Sequence, residues 1–254
     1  MNQSTVSKGT TFIELNNVHK WYGGVHALDD VSVAIRTGEA LGIVGDNGAG
    51  KSTLVKALTG AVIVDSGTVT VGENAVHFRY PRDSQNLGIH AIYQDLSLVG
   101  SFDLAQNVFL GQEQTKKVGG LFSLLDKKAM VSRARDILRS ELNMYIENPY
   151  QPVRNFSGGQ QQAVAISRAL LADARLILMD EPTAAMGVEE TEQILSLVEK
   201  LKRKLAIVIV SHNLDHVLRV CDRLLVMRNG RVVGDLQRDE ANKNRLVSLI
   251  TGLA

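Results

Sequence analysis

Lys51 and Ser52 close the run Gly45-Asp46-Asn47-Gly48-Ala49-Gly50-Lys51-Ser52, which fits the spacing G-x-x-x-x-G-K-[ST] at every fixed position. Each residue type has a chemical reason to be there. Glycines let successive backbone N–H groups turn inward around an anion. A helix that starts where the run ends adds a partial positive charge. Lys51 then reaches the β- and γ-phosphates of a nucleotide, the Ser52 hydroxyl ligates Mg²⁺, and Thr53 donates to the α-phosphate. The plain alternative is a glycine-rich turn before an ordinary helix. At average glycine usage such a match arises by accident in about one chain of this length in a hundred, so phosphate binding is the stronger reading.

Two further groups could complete such a site. Leu176-Ile177-Leu178-Met179 is an apolar run that ends in Asp180-Glu181. Beside a phosphate loop, Asp180 would hold Mg²⁺ through water and Glu181 would sit at the γ-phosphate. Otherwise the pair is an ordinary polar strand end. Asn155-Phe156-Ser157-Gly158-Gly159-Gln160-Gln161-Gln162 is a second glycine-bearing loop that opens a helix, with Ser157 as N-cap. It repeats the anion-binding logic of the first loop, although by itself it is only a capped helix start. His212 and His216 stand four apart, but the zinc-protease pattern needs Glu after the first His and here finds Asn213. His212 also falls at a strand end, so a metal pair is the weaker reading there.

The elements that must position these residues alternate β and α. Ala40 to Val44 reads as a buried strand before the loop, and Ser52 to Thr59 as a helix after it, stopped by Gly60. Strands are expected at Phe12–Val18, Val31–Ile35, Thr68–Val71, Gly88–Tyr93, Leu176–Met179 and Leu205–Val210. Helices are expected at Glu189–Lys204, Asn213–Cys221 and Ala241–Ile250. Leu224–Met227, the Asn229-Gly230 turn and Arg231–Val233 read as a hairpin. From Asp95 to about Arg154 strand patterns vanish and helical periodicity appears (Met130, Ala134, Ile137, Leu138), with Asp126 as N-cap. That segment is expected to be a helical lobe inserted into an α/β core.

Bulk properties narrow the class. The 254 residues are enough for a large core. A net charge of +1 offers no global electrostatic case for nucleic acid. No uncharged apolar run approaches the roughly 18–20 residues that span a bilayer. Met1 to Thr10 is polar, lacks a secretory signal and reads as a loose tail. The single cysteine, Cys221, shares a helical face with Leu214, Val217 and Leu218 and reads as a core residue suited to a reducing compartment.

The order of motifs is more specific than any one of them. The phosphate loop, Tyr93-Gln94, Phe156-Ser157-Gly158-Gly159-Gln160, Asp180-Glu181-Pro182-Thr183 and Ser211-His212 together resemble the ATP-binding subunit of an ABC transporter, from about Phe12 onward. The resemblance implies an α/β P-loop NTPase core of ABC ATPase type: a mixed sheet flanked by helices, an N-terminal antiparallel β part and an inserted α-helical subdomain. The implied parts are core at 11–94 and 165–254, helical subdomain with signature loop at 95–164, and flexible tail at 1–10. Implied cofactors are ATP and Mg²⁺.

The resemblance also carries roles. Tyr22, in Lys20-Trp21-Tyr22-Gly23-Gly24, would stack on adenine; Trp21 is the neighbouring candidate, and the bland alternative is a strand-end aromatic packed on the core. Gln94 would reach the metal and the attacking water. Glu181 would act as general base, and His212 would contact the γ-phosphate. Ser157, Gly158 and Gly159 of one subunit would close over the γ-phosphate held by Gly45–Ser52 of another, in a head-to-tail dimer. Two positions depart from the family pattern. Gly187 stands where Asp is common, and Phe156 where Leu is usual.

Asn107-Val108-Phe109-Leu110-Gly111, Tyr93-Gln94-Asp95-Leu96-Ser97-Leu98 and Glu181-Pro182-Thr183-Ala184-Ala185-Met186-Gly187 resemble bacterial monosaccharide importers of ribose, xylose and fructose type. The chain reads either as complete and homodimeric or as one half of a tandem ATPase. Implied partners are membrane permease subunits and, indirectly, a periplasmic or lipid-anchored sugar-binding protein. The implied location is cytoplasmic, peripheral on the inner face of the cell membrane. Lys127, Lys128, Arg133, Arg135 and Arg139 form a basic face that is either solvated or a permease dock. The competing readings are a soluble ABC ATPase without a transport role, an importer subunit for a non-sugar substrate, and a P-loop kinase.

Overall fold

In the computed structural model, residues 9–118, 122–184 and 186–253 are described. The expected N-terminal tail lies outside them except for Gly9 and Thr10. The chain forms two compact units. One holds residues up to Tyr93, Ala174–Pro182 and everything from Val198; the other holds Gln94–Asp173 and Thr183–Leu197.

The first unit opens with β1 (Thr11–Tyr22), β2 (Val25–Arg36), β3 (Ala40–Val44), α1 (Lys51–Leu58), β4 (Ser66–Val71), β5 (Asn74–Val76), α2 (Pro81–Gln85) and β6 (Ile89–Ile92). β1 and β2 run longer than their apolar alternation suggests. Bulges between Leu15 and Val18, with Asn17 left-handed, break the period of two while pairing continues. Strands in the order β2-β1-β4-β5 make an antiparallel sheet.

The second unit contains α3 (Leu104–Val108), β7 (Thr115–Val118), β8 (Phe122–Leu125), α4 (Lys127–Ser140) and α5 (Gly158–Leu171). α3, α4 and α5 pack on one another. Asp126 caps α4, accepting from the Ala129 N–H as its position predicts. Buried Asp103 caps α3 through the Gln106 N–H and receives Lys127 Nζ at 2.8 Å. Fully buried Asn107 spends its amide on Val99, Phe102 and Asp103, tying the preceding loop to α3.

Two expectations are corrected here. Strand structure does not vanish between Asp95 and Arg154, because β7 and β8 pair as a hairpin (Thr115↔Leu125, Lys117↔Ser123). Its apolar residues Phe122, Leu124 and Leu125 are exposed, so no buried face imposed an alternation that could be read. The boundary at 164/165 falls inside α5, and residues 183–197 group with the second unit rather than with the core.

The chain continues with β9 (Leu176–Asp180), α6 (Val188–Leu201), β10 (Ala206–Val210), α7 (Leu214–Val220), β11 (Arg223–Arg228), β12 (Arg231–Gln237) and α8 (Lys243–Thr251). A six-stranded sheet runs β12-β11-β3-β10-β9-β6, parallel except for β12. β3 and β10 are buried at every position, the pattern of strands covered on both faces. One core joins Phe12, Leu15 and Ile35 of the antiparallel sheet to Leu41, Ile43, Val208 and Leu225 of the mixed sheet and to Leu54 and Leu58 of α1. Each such side chain contributes about 1.5–3 kcal/mol on burial. Cys221 is buried within van der Waals reach of Gly42, where a Cβ would lie 3.1 Å from its Sγ. Burial pushes that thiol's pKa up, which suits a packing role.

Candidate nucleotide-hydrolysis site

Parallel strands carry their loops out at the same edge. Neighbouring β3, β10 and β9 therefore bring together the run after β3, Ser211-His212 after β10, and Asp180-Glu181 at the end of β9. The carboxyl edge of a parallel sheet is where α/β proteins place ligands.

The Gly45–Ser52 run leads into α1, whose N-cap Gly50 has φ +102° and no side-chain cap. The first N–H groups of α1 thus stay available to an anion. Gly50 cannot be replaced freely, since a Cβ there would meet the Ala27 carbonyl oxygen at 2.6 Å; at Gly45 it would collide with the Met227 carbonyl. The loop is braced from the far end of the chain. The Gly230 N–H donates to the Ala49 carbonyl (3.0 Å), and the Asp29 N–H to the Gly230 carbonyl (2.8 Å). Asn229 and Gly230, both left-handed, form the tight turn of the β11–β12 hairpin.

Lys51 Nζ lies across its own loop, donating to the carbonyls of Gly45 (2.7 Å) and Asp46 (2.9 Å). Desolvation draws its pKa down, against the charges of Glu181, Asp46 and Asp180. Asp180 moves the other way. Burial and the neighbouring Glu181 raise its carboxyl above the usual range, with Lys51 and Lys56 opposing. The half-buried Asp180 carboxylate, whose charge interacts with Lys51, and the exposed hydroxyl of Ser52, the residue after Lys51, are hard oxygen donors of the kind that suit Mg²⁺.

Glu181 has φ +51°, uncommon for a residue with a Cβ. Its own N–H is held by the Val210 carbonyl (2.8 Å). Its carboxylate accepts from Ser211 Oγ (3.1 Å) and the His212 N–H (2.9 Å), and stands 2.8 Å from His212 Nδ1. The strained turn at the strand end is thus locked by the end of the neighbouring strand. His216 faces Asn213 instead, with Nε2 3.2 Å from Nδ2, so the two histidines point to different partners.

Tyr22 ends β1 with 46% of its surface exposed, and Lys20 Nζ lies 5.7 Å from its ring. Trp21 behaves differently. It stacks on His26 at 4.1 Å, and His26 stacks on His19. Core packing of the Tyr22 ring is therefore not what is found, and Trp21, 40% exposed, also stays partly open. His19, His26 and Asp29 put ligand atoms within 4.8 Å of one another. However, these groups are already spent on protein partners: His19 Nδ1 lies 3.2 Å from His26 Nε2, and Arg231 takes the Asp29 carboxylate at 2.6 Å.

Gln94, Ser157, Gly158, Gly159 and Gln160 belong to the second unit. Gln94 is exposed. Ser157 caps α5 in a reciprocal box, with the Gln160 N–H on Ser157 Oγ and the Ser157 N–H on Gln160 Oε1. Three of the five basic residues of α4 are engaged locally: Lys127 with Asp103, Arg135 with the Glu147 carbonyl, and Arg139 over the Tyr145 ring. Sequence reasoning missed the brace at Gly230, for which the Asn-Gly pair was the available signal. It also missed Arg223, 3% exposed, which joins Glu39, Asp235 and the Ala34 carbonyl.

A phosphate loop, a carboxylate pair two strands along the same sheet edge and a locked glutamate define a P-loop nucleotide-binding domain. A model of the ABC transporter family matches residues 28–184, more than half of the chain, and the chain belongs to that family. It is 40% identical over 243 residues to a xylose/arabinose import ATP-binding protein of Sulfolobus acidocaldarius, covering 95% of this chain and 94% of that one. It is 41% identical over 237 residues to a fructose import ATP-binding protein of Rhizobium meliloti (92% and 91% covered). A ribose import ATP-binding protein of Clostridium tetani is 35% identical, but the match spans only 47% of its length. Among solved structures, the ADP conformation of an ATP-binding cassette of an ABC transporter superposes with TM-score 0.80 at 27% identity, covering 95% of this chain and 99% of that one. A dimeric bacterial ABC transporter cassette gives TM-score 0.72 at 25% identity (89% and 98%).

Proposed function

We propose that this chain is the ATP-binding and ATP-hydrolysing subunit of an importer that takes up a monosaccharide across the cytoplasmic membrane. The observation that carries the reading is Glu181, held by Ser211 and His212 in the unit that also holds Lys51 and the uncapped start of α1. The sugar-import relatives that match over more than nine-tenths of both chains support the transport role.

In this reading the loop N–H groups and Lys51 bind the β- and γ-phosphates, and Tyr22 stacks on the adenine. Bound Mg²⁺ supplies positive charge to the phosphate oxygens; Ser52, Asp180 and Gln94 are the side chains that would hold it. Glu181 takes the proton of the attacking water, and His212 orients that carboxylate and reaches the γ-phosphate. Two copies, or one copy and a second ABC ATPase domain, close head to tail, with Ser157, Gly158, Gly159 and Gln160 facing the other copy's ATP. Permease subunits read the closure and opening, and a sugar-binding protein outside the membrane delivers the sugar. In the same reading the permease subunits span the membrane and this chain sits on its inner face; no helix among the described residues is long and apolar enough to cross a membrane.

Phosphate release and dimerisation test the proposal together. Glu181→Gln should retain ATP, lose phosphate release by at least about a hundredfold, and form a stable dimer in Mg-ATP. Ser157→Arg should bind ATP as one chain and neither dimerise nor turn over. Normal turnover in either variant overturns the reading. Uptake of labelled pentoses and hexoses by cells carrying Lys51→Ala separates transport from a soluble ATPase role, since only a transport subunit makes uptake depend on Lys51.

A further inference from the structure

The carboxylate of Glu190 lies where two helix N-termini meet. Both α5 and α6 are 14 residues long, so each presents a full positive dipole end. The Gly159 N–H donates to Glu190 Oε1 at 3.5 Å, and the Gly187 N–H to Oε2 at 3.2 Å. The Gly187 and Gly159 N–H groups, with smaller help from Ser157 and Gly158 beside them, hold its pKa below the usual range. Toward α6 this is an N3 glutamate reaching back to the N–H of the preceding Gly187, one half of a capping box, since glycine has no side chain to supply the other half. Toward α5 it is something more, because Ser157, Gly158 and Gly159 are the donors that the dimer reading assigns to the γ-phosphate of the other copy's ATP.

One set of donors cannot serve two anions at full strength. A carboxylate in place also repels an approaching phosphate. The contact to Gly159 sits at the outer limit of hydrogen bonding, so it is a bond that can be given up. All of these residues lie in the second unit.

We propose that Glu190 is a resident counter-anion of the signature loop: it occupies the loop's donors in the open state and must yield them to the γ-phosphate on closure, which raises the ATP concentration that closure requires. The inference rests on the head-to-tail reading above. Gly187, where the family pattern commonly has Asp, gives its N–H to the carboxylate and brings no side-chain charge of its own.

The test compares Glu181→Gln with Glu181→Gln/Glu190→Gln. Dimer formation is followed by light scattering as Mg-ATP is raised, and thermal midpoints are measured without nucleotide. The amide keeps an acceptor oxygen but loses the charge. The expected result is half-maximal dimerisation at about three- to tenfold lower ATP, together with a lower nucleotide-free midpoint because two helix ends lose their counter-charge. Glu190→Ala should shift dimerisation the same way with a larger thermal loss. If the double variants need as much ATP as Glu181→Gln, or more, Glu190 is only a cap and the inference falls while the dimer reading stands. If Glu181→Gln itself stays monomeric in saturating Mg-ATP, both fall.

Discussion

Glu181 and His212, 31 positions apart, are joined twice: the histidine's backbone N–H and its ring Nδ1 both meet Glu181 Oε1, at 2.9 and 2.8 Å. The imidazole is 78% exposed while the carboxylate is 17% exposed, so the histidine forms the lid of the pair. A carboxylate fixed in this way cannot swing toward Lys51 and neutralise it. Its position at the end of β9 is set before any nucleotide arrives. His212→Ala should therefore lower kcat by about a hundredfold or more with little change in the KM for ATP, measured by phosphate release. An effect confined to KM would mean that the histidine serves binding alone.

Tyr22 and Trp21 should separate cleanly. Tyr22→Ala should weaken ATP by about tenfold, the usual worth of one stacked base, with little loss of stability. Trp21→Ala should instead remove the stack on His26 and cost stability. Trp21 is also the chain's single tryptophan. Its fluorescence should respond to ATP titration in wild type and respond only at higher ATP in Tyr22→Ala.

Gly50→Ala should cost about 1–3 kcal/mol, because the backbone is left-handed there and the added Cβ meets the Ala27 carbonyl. Urea unfolding would register the loss. Nucleotide affinity should fall in parallel, since relief of that contact moves the N–H groups that cradle phosphate.

Asp180 sets up a conflict between stability and function. Its carboxyl is raised in the folded chain, chiefly by burial and then by Glu181. A raised acid costs nothing below its unfolded pKa of about 4, and it destabilises the fold increasingly as pH climbs through the folded value. Asp180→Asn should therefore raise the nucleotide-free thermal midpoint by a few degrees at pH 7.5, and this gain should vanish near pH 4. The same variant should lose hydrolysis in Mg-ATP. A gain that persists at pH 4 would assign the effect to packing rather than charge.

Arg223 should be intolerant of truncation. Arg223→Met leaves Glu39 and the Ala34 carbonyl facing a buried apolar chain, at a cost of about 3 kcal/mol. Arg223→Lys should recover only part, because a single ammonium cannot reach Glu39, Asp235 and the Ala34 carbonyl as the guanidinium fork does. Urea midpoints of both variants would show the ranking.

What the amino-acid order determined by itself is local. Gly45 to Ser52, the cap at Ser157, the cap at Asp126, the Asn229-Gly230 turn and the apolar runs of β3 and β10 are each written in contiguous residues, because turns, helix ends and burial periodicity depend on neighbours along the chain. The extents of β1 and β2 were less legible, since bulges at Asn17 broke the alternation without ending the pairing. The β7–β8 hairpin left no readable pattern, since its apolar residues Phe122, Leu124 and Leu125 are all exposed. Tertiary structure alone decided that Gly230 would brace Ala49, that Arg223 would gather Glu39 and Asp235, that Ser211 and His212 would lock Glu181, and that Glu190 would reach the Ser157 loop. Pairings of this kind follow from which strands lie side by side and which helix ends meet. Hydrophobic burial sets that order over the whole chain, and no single segment records it.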